Sequence, residues 1–186
     1  ICINSIMKRF NETLNENKST DALGHDMPMS SKRKKQLEAD KGPFKDFPVN
    51  LWLDYTPYRN SSEQTKRELR QLQSYQTYRT DAKEFMELVD TKLMKPFKQY
   101  FKKNNLDMKL IDEVSKLKDN LNPIVLQLKV HYNRPRPSKL ARALVFHKEL
   151  NFTVHPLKTA ETPAYPSGHA TEGRFVSLYL ADRVPF

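Results

Sequence analysis

Residues 61–100 read SSEQTKRELRQLQSYQTYRTDAKEFMELVDTKLMKPFKQY, and this stretch decides the fold class. Ser61 and Ser62 precede Glu63, the pattern of a helix N-cap followed by a first-turn acid that suits the positive end of the helix dipole. Apolar residues then recur at Leu69, Leu72, Tyr75, Ala82, Phe85, Met86, Val89, Leu93, Phe97 and Tyr100. Steps of three and four put most of them on one face of a helix, so the stretch predicts helix rather than strand, with its aromatic stripe turned to a core. Pro96 lacks an N–H and predicts a kink or division of that helix.

The same period continues towards the C-terminus. Leu110, Ile111, Val114 and Leu117 predict a second helix. Asn122-Pro123 reads as a fresh cap with proline at the first helical position, opening a helix that carries Ile124, Val125 and Leu128 and ends near His131. The run NRPRP at 133–137 cannot stay helical and is expected to be extended. Within residues 138–162, the segment ALVFHKELNFTVHPL has short apolar and β-branched pieces that fit a small hairpin or a loop. Pro163 and Pro166 punctuate the next turn. A final helix is expected from about Gly168 to Ala181, with Phe175, Val176, Tyr179 and Leu180 facing inward.

Towards the N-terminus the pattern breaks down. Residues 1–50 are polar and interrupted by Gly24, Pro28, Gly42-Pro43 and Pro48, which predicts a partly extended arm, or short helices lying on a body formed by residues 51–186. The cluster Lys32-Arg33-Lys34-Lys35 is either a solvated face or a grip for nucleic acid. Trp52, the only tryptophan, lies in VNLWLDYTPY (49–58) and reads as a packing anchor that docks the arm.

Composition bounds what this body does. The 186 residues suffice for one domain with a core, but 38% hydrophobic and 29% charged residues place part of the chain outside it. A net charge of +10 attracts phosphates, nucleic acid or anionic membranes, or is a solvated basic surface with no specific partner. The single Cys2 excludes an internal disulfide and multi-cysteine zinc sites. No apolar run approaches the roughly 20 residues that span a bilayer, and the opening ICINSIMKRFNETLNENK turns polar too soon for a signal peptide. A soluble protein, cytoplasmic rather than exported, is therefore expected. The start at Ile1 and the abrupt end at LADRVPF lead to the expectation of a chain cut from something longer.

Two segments carry chemistry. In Lys129-V-H-Y-N-R-P-Arg136-Pro137, Lys129 falls in the last turn of a predicted helix and Arg136 in a stiff, proline-flanked stretch. Arginine offers a planar fork of donors suited to a tetrahedral oxyanion, and lysine a compact positive charge. In Tyr165-Pro166-Ser167-Gly168-His169-Ala170, the segment immediately precedes a predicted helix, whose free N–H groups and dipole favour anions. Gly168 permits close backbone approach, Ser167 offers a hydroxyl, and histidine's unperturbed pKa of roughly 6.5 suits proton transfer near neutrality. Taken alone, the first segment reads sooner as a basic linker and the second as a helix cap with a surface histidine. Together, in this order and spacing, they favour a phosphate site.

K-x6-R-P followed by P-S-G-H resembles the first two signature motifs of the superfamily that joins type 2 phosphatidic acid phosphatases, bacterial class A acid phosphatases and vanadium haloperoxidases. Lys129, Arg136 and Pro137 match the first motif; Pro166, Ser167, Gly168 and His169 match the second. The resemblance covers residues 129–137 and 165–175, with weaker support from the flanking helices. It implies a mostly α fold, a helical bundle of the acid phosphatase/vanadium haloperoxidase type, truncated at its C-terminus. By this resemblance Lys129, Arg136, Ser167 and the Gly168 amide hold oxygens of phosphate or vanadate. His169 is the catalytic acid that protonates the leaving group, or acts on bound peroxide in a haloperoxidase. The family's third motif, Ser-Arg followed by a histidine and an aspartate, is absent before Phe186, so no residue here inherits the nucleophile or the vanadium ligand. His131, His147 and His155 fit no motif, and His25 lies in the arm.

The function expected is a soluble phosphatase acting on a phosphorylated small molecule through a phosphohistidine, with little turnover from these 186 residues alone. That chemistry implies no metal or cofactor. The alternatives are a vanadium-dependent haloperoxidase, with vanadate as cofactor, and a non-catalytic structural or assembly protein that keeps an anion pocket. Nucleic-acid binding rests on charge alone.

Overall fold

The computed structural model describes residues 20–25, 27–79, 82–144 and 157–184. They are mostly helical, as the period predicts, with no strand among the described residues. The helices are α1 (Ser31–Leu37), α2 (Val49–Trp52), α3 (Glu63–Ser74), α4 (Lys83–Lys92), α5 (Met94–Lys103), α6 (Met108–Tyr132), α7 (Pro137–Ala143) and α8 (Gly168–Ala181). Single 3₁₀ turns lie at Gly42–Phe44 and Tyr75–Arg79. No helix among the described residues is long and apolar enough to cross a membrane.

Helix α6 is the hub, and α8, α1, α5, the Gly42–Phe44 turn and α2 all pack on it. Its N-terminal half joins α5 and α8 around Met94, Phe101, Ile111, Val114, Val176 and Leu180, flanked by Phe97, Phe175 and Tyr179. Burying each such side chain contributes about 1.5–3 kcal/mol, which sets the α5–α6–α8 geometry. A smaller core joins Leu69 of α3 to Leu140, Ala141 and Leu144 at α7. The inward residues expected for the last helix are those that pack, and its bounds are the expected Gly168 and Ala181.

Two proline readings change. The 61–100 stretch divides twice, between Ser74 and Lys83 and again at Leu93, so that Pro96 falls in the first turn of α5. There its missing N–H has no helical partner to lose. Of the aromatic stripe in this stretch, Phe97 packs on the core while Tyr75, Phe85 and Tyr100 are exposed. Asn122-Pro123 does not open a new helix: α6 runs through it for 25 residues. An interior proline costs about 3 kcal/mol, but Ile124, Val125 and Leu126 beyond it are all buried, and their burial outweighs that loss. The helix ends at Tyr132, where Asn133 takes the left-handed conformation (φ 43°) and donates its N–H to Lys129 O at 2.9 Å.

The described part of the N-terminal arm lies on the body as short helices. Asn60 Nδ2 donates to Thr20 O (3.0 Å) and Leu23 O (3.1 Å), and His25 N–H to Asn133 O (3.1 Å). Lys139 Nζ donates to Gly24 O at 2.8 Å. A Cβ at Gly24 would collide with the amide end of Asn133, so any other residue there obliges that side chain to move. Trp52 differs from the buried anchor expected. It is 46% exposed and stacks on Phe47, while neighbouring Val49 is the residue that buries. The hairpin-or-loop segment, with His147 and His155, lies largely outside the described residues.

Candidate oxyanion site

The C-terminal half of α6 delivers Lys129 to a cavity of about 690 Å³, and Arg136, Ser167, Gly168 and His169 line the same cavity. The five residues singled out in the sequence are thus brought together. Lys129 is only 6% exposed, and Nζ donates to Pro163 O at 2.5 Å. Burial first, then the adjacent Arg136 charge, pushes its pKa down to about 8. Arg136 is the N-cap of α7, with the extended backbone (φ −65°, ψ 147°) that precedes Pro137, and its Nε donates to Thr162 O at 2.7 Å. Burial lowers the Arg136 pKa, while the Asp90 charge acts the other way. Arg134, the other arginine of the RPRP run, turns to α3 and pairs with Glu68 at 3.1 Å.

Ser167 caps α8, its Oγ accepting from Ala170 N–H at 3.3 Å. The cap occupies a lone pair and leaves the hydroxyl hydrogen for a ligand. A Cβ at Gly168 would come within 4.0 Å of Glu172 Oε1 alone, so open space lies beside the first turn of α8. The early N–H groups of that turn have no helical acceptor and, with the dipole, favour an anion in that space. His169 follows, with a half-exposed side chain. Its Nε2 is 3.1 Å from Asp90 O and 3.9 Å from Asp90 Oδ1.

Two further cavity residues, Asp90 and Lys118, carry no sequence signal, and Arg33 of the 32–35 cluster joins them. Asp90 is an acid in an apolar run, FMELVD, yet its side chain is only 3% exposed. Burial alone would push its carboxyl up. Hydrogen bonds from the Thr159 hydroxyl and the Lys158 and Thr159 N–H groups, with His169 alongside, outweigh that and hold it below the usual carboxylate range. Lys118 lies eleven residues before Lys129, three turns along the same face of α6. It pairs with Asp119 at 2.6 Å and Glu172 of α8 at 3.3 Å. Burial would lower Lys118, but the two carboxylates outweigh it and hold it above the usual lysine range. Arg33 of α1 reaches Glu161 at 3.1 Å, so the arm forms part of the wall.

The remaining described histidines stand apart from this chemistry. His131 packs edge-on against Tyr132, and a His25 ring nitrogen lies 3.0 Å from Glu161 O. Among the described residues no group of three histidine, cysteine or acidic side chains is arranged to hold a metal. No family model, curated protein or solved structure matches the chain.

Proposed function

We propose that this chain forms the oxyanion cradle of a phosphatase-like protein, a phosphoric monoester hydrolase of the type 2 phosphatidic acid phosphatase/vanadium haloperoxidase kind. One observation carries the proposal: a lysine, an arginine, a serine-capped helix start and a histidine, from segments separated in sequence, line one cavity. Lys129 and Arg136 neutralise the phosphoryl oxygens, and the Ser167 hydroxyl and α8 amides complete the cradle. His169 gives its proton to the leaving oxygen as the P–O bond breaks. The phosphoryl group passes to a histidine supplied by the family's third motif, which the 186 residues do not contain. A cavity of about 690 Å³ lies within the roughly 300–1,000 Å³ of ligand pockets and leaves room for an organic leaving group beyond the phosphoryl oxygens.

Titration of the 186-residue chain with inorganic phosphate and with orthovanadate is expected to show one saturable site for each, with little hydrolysis of a chromogenic phosphomonoester. Absence of binding to both anions would falsify the cradle. Vanadate mimics phosphate, so the same cradle fits a haloperoxidase; bromide oxidation by peroxide in the vanadate-loaded protein would favour that chemistry instead.

A further inference from the structure

Asp90 lies outside both motif segments, yet it contacts His169 and the turn whose carbonyls hold the two cations. Its Oδ2 accepts from Lys158 N–H at 2.7 Å and Thr159 N–H at 3.3 Å, and its Oδ1 accepts from the Thr159 hydroxyl. These residues open the turn that supplies Thr162 O to Arg136 and Pro163 O to Lys129. The far end of the turn is fixed by Ala164 N–H on Arg134 O at 2.9 Å. Both carbonyls that hold the cations therefore sit on a segment fixed at its start by Asp90 and at its end by Arg134 O, with His25 and Arg33 touching Glu161 between them. The main-chain carbonyl of Asp90 also faces His169 Nε2. A carbonyl only accepts, so Nε2 carries the hydrogen and Nδ1 is left to give or take a proton.

We propose that Asp90 is the positioning residue of this site: its carboxylate pins the 157–164 turn whose carbonyls orient Lys129 and Arg136, and its own carbonyl orients the His169 ring. Its purpose rests on the cradle reading above, but its geometry does not. A carboxylate this buried is costly unless its lone pairs are filled, and here they are filled by consecutive donors of one turn. Asparagine keeps an oxygen for the two N–H groups and meets the Thr159 hydroxyl with its amide, whereas alanine frees the Lys158–Thr159 end of the turn.

The test uses the 186-residue chain and its D90N, D90A and T159V variants. Nitrogen-resolved NMR follows exchange of the Arg136 Nε–H with water and the tautomer of His169, and calorimetry follows inorganic phosphate. In the wild type, the Arg136 Nε–H is expected to be protected and His169 to carry its hydrogen on Nε2. D90A is expected to speed Arg136 exchange and weaken phosphate binding, each about tenfold, the scale of a charge-assisted hydrogen bond. D90N is expected to stay within about threefold of wild type on the same scale. A folded D90A with wild-type exchange and affinity overturns the proposal, as does a neutral wild-type His169 whose single ring hydrogen sits on Nδ1. Should D90A fail to fold, T159V decides: it removes one donor and must move the same signals in the same direction, and unchanged signals overturn the proposal. A wild type that binds no phosphate, with D90A still speeding Arg136 exchange, removes the cradle and leaves the positioning role standing.

Discussion

The cavity wall has two kinds of buried or partly buried cation, and they are held in opposite ways. Lys118 and Arg33 each meet a carboxylate: Lys118 reaches Asp119 and Glu172, and Arg33 reaches Glu161. Lys129 and Arg136 rest instead on neutral main-chain carbonyls of Pro163 and Thr162. An ion pair cancels its own field, so the first two are spent on holding α8 and the arm in place. A carbonyl dipole orients a cation and leaves its charge whole. The unbalanced charge therefore gathers at Lys129 and, offset in part by Asp90, at Arg136, in the cavity beside the start of α8.

The sharpest way to break this contrast is to neutralise one cation of each kind. Lys129→Met is expected to weaken phosphate binding about 10- to 100-fold, the loss of a charge-assisted contact, while leaving stability level or slightly raised, since it removes a buried charge. Lys118→Met is expected to behave inversely. It strands the carboxylate of Glu172, whose side chain is 16% exposed, and lowers stability by about 1–2 kcal/mol. Its effect on phosphate affinity should stay near threefold on the same scale. Calorimetry and urea denaturation on both variants read the two effects, and equal losses in affinity would erase the distinction.

A second, smaller effect is set by pH. Lys129 titrates near 8 in the folded chain, below the roughly 10.4 of an unfolded lysine. Between those values the unfolded chain binds the extra proton, so Lys129 makes stability rise with pH across the window. Phosphate affinity should fall as pH rises through about 8, because the ammonium is lost, and binding just above that pH should take up a proton. Calorimetry in buffers of different ionisation enthalpy measures that uptake, and Lys129→Met should abolish it. The smallest effect is expected from Arg33→Gln. Its partner Glu161 is 76% exposed, so stability should change by less than about 1 kcal/mol and phosphate affinity by less than about twofold.

Local signals were read well where packing and propensity agree. The cap at Ser62, the bounds of the last helix and the inward Val176 and Leu180 follow from residue types and spacing alone. The prolines mislead because propensity is a local quantity. The aliphatic run beyond Pro123 is plain in the sequence, but nothing near Asn122 tells whether its burial continues α6 or opens a new helix. The motif side chains were legible because their chemistry is specific. Asp90 was not, since an acid in an amphipathic helix is ordinarily a solvated one. The carbonyls of Thr162 and Pro163 were invisible for a deeper reason: every residue has a carbonyl, so its role has no signature in the sequence.

Because main-chain oxygens hold the two cations, the stretch from Leu157 to Ala164 answers to length more than to composition. Exchanging Ala160 for another small residue leaves both oxygens where they are. Inserting or deleting a single residue there would shift Thr162 and Pro163 along the chain path by about 3.8 Å, more than the reach of a hydrogen bond. Related sequences that share this architecture should therefore vary at positions such as Ala160, keep a hydroxyl at Thr159 for Asp90, and tolerate no gap in the turn.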